Sequence, residues 1–448
     1  MKKTIFILSM LFLSLSAISQ DITGLWRGVL KLPQVELDLF FRISQGENDL
    51  LSGTLSIPLQ GIKDYPIDTT SFQNGELKIV VNGLGPQMII TGYYTLNSFI
   101  GEFSQMSKRP ITLVRAKRPQ EPKPPYPYKE EDVRFKNEKS GITLAGTLTI
   151  PEGEGPFPAV ILVSGSGTQN RDEEIVEHKP FHVIADYLTQ NGIMVLRYDD
   201  RGAGESEMAH PATTYDLSLD AESAIDYLKQ RNDADQGQIG IIGHSEGGTI
   251  AFMVASRSDD VNFMISLAGG AILGAETLIS QDIEINKLSG ASQSTLETLE
   301  QVDRGLFDII LKSDANTPEL RKQLFDYVKK LYPSATQEQI NNNVNLLLEE
   351  WRYYFTKLDP YEYIKDTKVP VLALNGNKDV QILSRLHLPA IEKAAMDGGN
   401  KSVTVMEIEG LNHLFQECNT GLMEEYGVIE QTFSPKVLEI VKNWILVR

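Results

Sequence analysis

Two rhythms of apolar and polar positions divide this chain. From about residue 21 to residue 118 the period is two. Val35, Leu37, Leu39, Phe41 and Ile43 interleave with Glu36, Asp38, Phe40 and Arg42, as on a half-buried strand. More short apolar runs follow at 77–81, 88–94, 98–103 and 111–115, punctuated by Asn74-Gly75 and Asn82-Gly83. Many short strands with turn signals at this spacing predict a small all-β domain over residues 20–116, a sandwich or a barrel. No chemical constellation is visible in it, and Trp26 reads as core. Residues 117–129, KRPQEPKPPYPYK, are dense enough in proline to favour polyproline II geometry and predict a stiff linker.

From Glu130 the rhythm changes. Residues 133–135 and 142–150 read as a strand pair. Near-continuous apolar runs at 159–163, 193–196, 239–242, 263–267, 369–374 and 403–408 then alternate with helix-period segments at 181–189, 219–229 and 391–396. That alternation predicts a parallel sheet covered on both faces. It breaks at about residues 271–358, which read as helix throughout. Leu296, Leu299, Val302, Leu306, Ile309 and Ile310 form one apolar stripe, and Ile340, Val344, Leu347, Leu348 and Trp351 another. Thr317-Pro318-Glu319 is a helix start with proline in the first turn, and Thr336 with Gln339 fits a capping box. Helices inserted between two sheet strands predict a cap domain within a unit spanning 130–448.

The N-terminus changes the picture of where the protein works. Lys2 and Lys3 precede an apolar stretch from Ile5 to Leu15, too short to span a bilayer comfortably. Ala17 and Ser19 suit a signal peptidase, so residues 1–19 read as a cleaved export signal. The one cysteine, Cys418, excludes an intramolecular disulfide and a cysteine-based zinc site. No cysteine stands at the cleavage site for a lipid anchor. The expectation is a secreted or periplasmic bacterial protein, with no membrane insertion after cleavage. The formal net charge of −18 argues against nucleic acid and anionic lipid as partners. The sequence gives no sign of oligomeric state.

The candidate chemistry starts at residues 238–248. A strand runs into Gly243-His244-Ser245-Glu246-Gly247-Gly248, and a helix follows at 249–256. This G-x-S-x-G turn forces its serine into strained geometry, and its glycines avoid collisions with the flanking strand and helix. Ser245 is the expected nucleophile. Its base must come from His178, His182, His210, His244, His387 or His413. Only His413, just past the last strand, suits a serine–acid–histidine order with reactive groups beyond the strands' carboxyl ends. Asp379, after the penultimate strand, is the expected carboxylate partner, whereas Asp366 precedes that strand and lies at the wrong end. The oxyanion donors are expected to be the N–H of Glu246 and of Ser166, with Gly167 as second choice to Ser166. The turn Asp199–Ser206 is glycine-rich but has no lysine and three acidic residues, so it is read as a buttress rather than a phosphate cradle.

These segments together resemble the α/β-hydrolase superfamily. The likeness is carried in order by residues 197–206, 241–248, 374–379 and 410–413 and covers about residues 130–448. More narrowly, residues 163–173, VSGSGTQNRDE, resemble a group of secreted bacterial carboxylesterases related to serine aminopeptidase-like hydrolases. Many such relatives carry histidine where this chain has Ser164, a departure that bears on that loop's side-chain network. The resemblance implies an α/β-hydrolase sheet with an inserted cap, preceded by an accessory β-domain, and the expected activity is cleavage of small-molecule esters through an acyl-enzyme. No metal or organic cofactor is expected. Amide or peptide hydrolysis remains open, because the same triad serves both. Thioester cleavage, acyl transfer and a non-enzymatic glycan-binding role stay open as well. Aromatic residues late in the cap, Trp351, Tyr354 and Phe355, are candidate substrate contacts, although core packing is the first expectation for each taken singly.

Overall fold

A computed structural model describes residues 21–448 except 34, 47–49, 96 and 211. The export signal expected over residues 1–19 lies outside the described residues. The chain forms two compact units, which meet in sequence between Lys117 and Arg118.

The first unit holds β1 (Gly24–Lys31), β2 (Glu36–Gln45), β3 (Leu51–Ile57), β4 (Ile62–Pro66), β5 (Thr69–Gln73), β6 (Glu76–Val81), β7 (Met88–Thr95), β8 (Ser98–Ser104) and β9 (Lys108–Arg115). They make one antiparallel sheet, in the order β4-β3-β2-β1-β9-β8-β7-β6-β5. A sandwich is thereby set aside, since there is one curled, half-barrel sheet and not two stacked ones. The curl comes from the chain between the two edge strands. The Ile67 N–H bonds Gly53 O and the Asp68 N–H bonds Val80 O, so neighbouring residues of one segment pair with β3 on one side and β6 on the other. The period-two residues Leu37, Leu39, Phe41 and Ile43 all face one core around Trp26.

The second unit is built on β10 (Lys129–Asn137), β11 (Ile142–Ile150), β12 (Phe157–Val163), β13 (Met194–Tyr198), β14 (Ala234–His244), β15 (Phe263–Leu267), β16 (Val371–Gly376) and β17 (Val403–Ile408). The order is β10-β11-β13-β12-β14-β15-β16-β17. β10 and β11 pair antiparallel, and from β13 onward every pairing is parallel. This is the α/β-hydrolase sheet that the resemblance implied. β12 shows why its strands read as continuous apolar runs. Val160 and Leu162 pack with helices α1 (Pro180–Gln190) and α11 (Pro435–Leu446), while Ala159, Ile161 and Val163 pack on the other face. That second face is covered by α2 (Thr214–Lys229), α3 (Glu246–Ala255) and α10 (Ser384–Asp397).

Between β15 and β16 lie α4 (Gly274–Leu288), α5 (Gln293–Leu311), α6 (Pro318–Leu331), α7 (Gln337–Leu347), α8 (Glu350–Lys357) and α9 (Tyr361–Asp366). Thr317 caps α6 through the Leu320 N–H at 3.2 Å, and Thr336 and Gln339 form the capping box of α7. The first four helices share a core of Ile279, Phe307, Ile310, Leu324, Val328 and Val344. The second apolar stripe does not run through one helix, because α7 stops at Leu347 and Trp351 sits on α8. Trp351 thereby lies outside that helical core, and its Nε1 bonds Glu246 at the start of α3.

The proline-rich segment from Arg118 to Tyr128 is bonded along the second unit. Arg118 donates to the carbonyls of Val176, Gly427 and Ile429. The Gln120 amide accepts from the N–H groups of Thr432 and Phe433 and donates to Phe433 O. The Tyr128 hydroxyl bonds Asp186 at 2.9 Å. Polar side chains set among the prolines supply donors and acceptors that a free spacer would leave to water. Among the described residues no helix is long and apolar enough to cross a membrane.

Candidate active site

The strand β14 turns into α3 within one residue, Ser245. That residue has φ 54° and ψ −120°, a strained conformation that costs a non-glycine residue about 1–3 kcal/mol. Its neighbours permit no relaxation. A Cβ on Gly243 would lie 1.9 Å from Gly247 O, and one on Gly247 would lie 2.1 Å from Val163 O. The Ser245 N–H is anchored on Leu267 O at 2.9 Å. Glu246 opens α3, so its N–H has no partner within the helix. Among the described residues Ser245 Oγ makes no hydrogen bond.

Asp379 follows β16 and His413 follows β17, both beyond the carboxyl ends of the sheet. His413 Nδ1 lies 2.8 Å from Asp379 Oδ2, and both residues are buried. The other oxygen, Oδ1, accepts from the N–H groups of Gln381 and Ile382 at 2.8 and 2.9 Å. A carboxylate so engaged accepts only, so Nδ1 carries a proton, and Nε2 is the acceptor nitrogen of the neutral ring. His413 is tied to the elbow through His244, whose ring centroid is 4.8 Å from its own. His244 Nε2 bonds His413 O at 2.9 Å, and its Nδ1 bonds Glu173 Oε1 at 2.9 Å. Both partners are acceptors, which favours the doubly protonated ring. Burial works against that charge, but Glu173, the His413 carbonyl and Asp379 together outweigh it and raise the His244 pKa above the usual histidine value. The same Glu173 oxygen accepts from the Gly165 N–H at 2.6 Å.

Glu173 thus takes the Gly165 N–H out of consideration as an oxyanion donor and leaves the next residues. Ser166 lines a cavity of about 60 Å³ together with Ser245 and Glu246, whereas Gly167, at φ 95°, is not in its wall. Trp351 and Phe355 are in that wall, and Tyr354 is not. Thr249, Thr277, Leu278, Gln281, Gln381 and Ile382 complete most of it.

The turn after β13 holds the site from behind. Arg171 grips Asp199 with Nη2 on Oδ2 at 2.6 Å and Nε on Oδ1 at 3.2 Å. Arg201 grips Asp220 in the same manner at 2.7 and 2.9 Å. Ser164 Oγ donates to Asp200 at 2.8 Å, and the Gln169 N–H donates to it at the same distance. The hydroxyl that stands where many relatives have histidine is therefore the partner of a buried acid. Burial, against those hydrogen bonds, pushes Asp200 up to about 8.

The other histidines have partners of their own or stand exposed. His178 is buried between Thr432 Oγ1 and Tyr426 O, each 2.9 Å away, and burial together with the charge of Arg118 pushes it down to about 3. His387 accepts from the Ala271 N–H at 2.9 Å, and burial pushes it down to about 4. Burial also lowers His182, and His210 is exposed. Sequence reasoning missed the Glu173–His244 pair and the side chain of Glu246. Both were quoted in motifs, but the motif reading used only backbone and glycine positions. Among the described residues no group of His, Cys, Asp and Glu is arranged to hold a metal ion.

Comparison with known proteins finds relatives for the second unit. Residues 176–304 match the family model described as serine aminopeptidase, S33. Esterase EstD of Thermotoga maritima is 28% identical over 296 residues, covering 65% of this chain and 61% of the esterase. The chain thus spans less than two thirds of that relative's length. Polyketide transferase claH of Penicillium crustosum is 26% identical over 48% of this chain and 70% of its own. Among solved structures, the hypothetical protein PA2218 of Pseudomonas aeruginosa is 15% identical, covers 72% of this chain and 94% of its own, and superposes with a TM-score of 0.44.

Proposed function

Because this chain belongs to the α/β-hydrolase superfamily, we propose that it is an exported serine carboxylesterase acting on small-molecule esters. The observation that carries the reading is Ser245 at φ 54° on the strand–helix elbow, in the wall of a cavity, with the buried His413–Asp379 pair tied to the same elbow through His244. Ser245 Oγ attacks the ester carbonyl while His413 Nε2 takes its proton. The N–H groups of Glu246 and Ser166 receive the oxyanion. Collapse breaks the bond to the alcohol oxygen, which leaves with the proton from His413. A water then gives its proton to His413 and attacks the acyl-enzyme. The acid departs and Ser245 recovers its proton. Throughout, Asp379 holds the tautomer and offsets the imidazolium charge. No step uses a metal or an organic cofactor. Helices α4–α8 act as the cap, and residues 1–19 direct export.

One feature of the cavity favours esters over aminoacyl amides. Its single ionisable side chain among the described residues, Glu246, is engaged by Thr214 and Trp351 and so is not offered to a substrate ammonium. The test is fluorophosphonate labelling of the purified protein, followed by rates on 4-nitrophenyl acetate and on alanine 4-nitroanilide. Modification of Ser245 with ester turnover is expected. Labelling with turnover of the anilide alone would replace the esterase by an aminopeptidase. Absence of labelling in folded protein would favour a binding role.

A further inference from the structure

Glu246 carries a second feature that the reaction above does not use. Its carboxyl group is buried, and its hydrogen-bond partners are neutral. Thr214 Oγ1, at the start of α2, donates to Oε1 at 2.5 Å. Trp351 Nε1, on α8, donates to Oε1 at 2.8 Å and to Oε2 at 3.0 Å. A carboxyl group without a cation is costly to bury. Burial, partly offset by these two donors, raises its pKa. Such a group is retained at that cost where it fixes something.

What it fixes is the indole. Trp351 stacks on Phe355 with ring centroids 5.1 Å apart and planes at 18°, and both rings wall the cavity that Ser245 enters. Phe355 has no polar handle, so the indole N–H is the one directional bond in this aromatic wall. It runs to the residue that follows the nucleophile in sequence. The pair therefore registers a helix inserted between β15 and β16 against the elbow itself. With the wall in this position the cavity holds about 60 Å³, roughly four water-sized positions.

We propose that the Glu246–Trp351 hydrogen bond is the specificity-determining element of this site, holding the indole as a stop that limits substrates to short acyl groups. Glu246 then serves the reaction through its backbone N–H and sets acyl length through its side chain. Removing the tether frees the ring to swing away while the nucleophile, base and oxyanion donors stay in place. Such a stop rests on the esterase reading.

The test compares kcat/KM for 4-nitrophenyl acetate and 4-nitrophenyl octanoate, with folding checked by thermal unfolding. Trp351→Phe keeps an aromatic ring and its stacking but removes the donor. Glu246→Ala removes the acceptor. Each is expected to raise the octanoate-to-acetate ratio about tenfold or more. The double variant should go no further than either single one, because both break one bond. Glu246→Gln retains an acceptor oxygen and should hold the ratio within about threefold of wild type. If Glu246→Ala fails to fold, Trp351→Phe decides alone. An unchanged ratio in folded, esterase-active Trp351→Phe would overturn the tether and leave the esterase standing. If wild type cleaves neither ester, the esterase reading falls and the tether's role falls with it.

Discussion

The two sheets of this chain differ in what they bury. Among the described residues the nine-stranded sheet buries no ionisable side chain, and its polar interior amounts to Ser56 and Thr70. Its centre is Trp26, which packs on Phe99 at 4.7 Å and bonds Ile22 O through Nε1. The eight-stranded sheet already buries Thr149, Arg197 and Ser266 within its strands, and the strands' carboxyl ends with the loops beyond them bury Glu173, Asp199, Asp200, Arg201, His244 and Asp379. Each of this second set has a partner within hydrogen-bond distance. Burying charge is expensive unless it is paired. Where a fold sustains so much of it in one place, the gain is sought in chemistry rather than in stability.

That contrast can be tested, beginning where the effect is largest. Ser245→Ala should lower kcat by about 10⁶-fold, the scale seen for serine triads, while its unfolding midpoint in urea stays near wild type. Activity within tenfold of wild type would remove Ser245 from the reaction. Asp379→Asn should cost about 10⁴-fold, since an amide no longer selects the tautomer that leaves Nε2 basic. Single-turnover rates on an activated ester measure both. In the first sheet, Trp26→Ala should cost about 3–5 kcal/mol of stability, as expected for a large ring removed from a closed core. A denaturant midpoint that hardly moves would mean that this core is looser than its packing indicates.

The smallest expected effect is a slope. His178 stands at about 3 in the folded protein, against an ordinary value of 6.5. Between those values the unfolded chain binds a proton that the folded one refuses. Stability is therefore full above about pH 6.5 and falls as the pH drops toward 3. The contribution reaches about 1.4 kcal/mol per pH unit. His178→Gln should flatten the loss of stability between pH 6 and pH 4, as measured by chemical denaturation. An unchanged slope would mean that His178 is free to protonate in place.

Much of this was legible in the sequence, for reasons that differ from residue to residue. Both rhythms came through because burial on one face or two is a property of local spacing. Ser245 was legible because a strained turn demands glycines at fixed offsets, and Gly243 and Gly247 are indeed where a side chain would collide. The pairing of Asp379 with His413 followed from chain order and from their places beyond the strands' carboxyl ends. The partners of Glu246, Glu173 and Ser164 were not legible. Trp351 is 105 residues from Glu246, and His244 is 71 from Glu173. No spacing rule links such positions, because their meeting depends on how whole elements pack. The single helical stripe read through Trp351 failed for a related reason. Periodicity continued across residues 348–349, where the chain leaves one helix and starts another.

The bonds made by Gln120 also bear on where this unit can be cut out of the longer chain. The change of rhythm marks Glu130 as a natural first residue for an excised fragment. Starting there would discard Gln120, and with it the acceptor for two backbone N–H groups, those of Thr432 and Phe433, just ahead of the last helix. The next residue, Ser434, bonds Phe415 O, two positions from His413. An excision at Glu130 would thus fray the far terminus and loosen the segment around His413, whereas one beginning at Arg118 keeps the two ends stitched together.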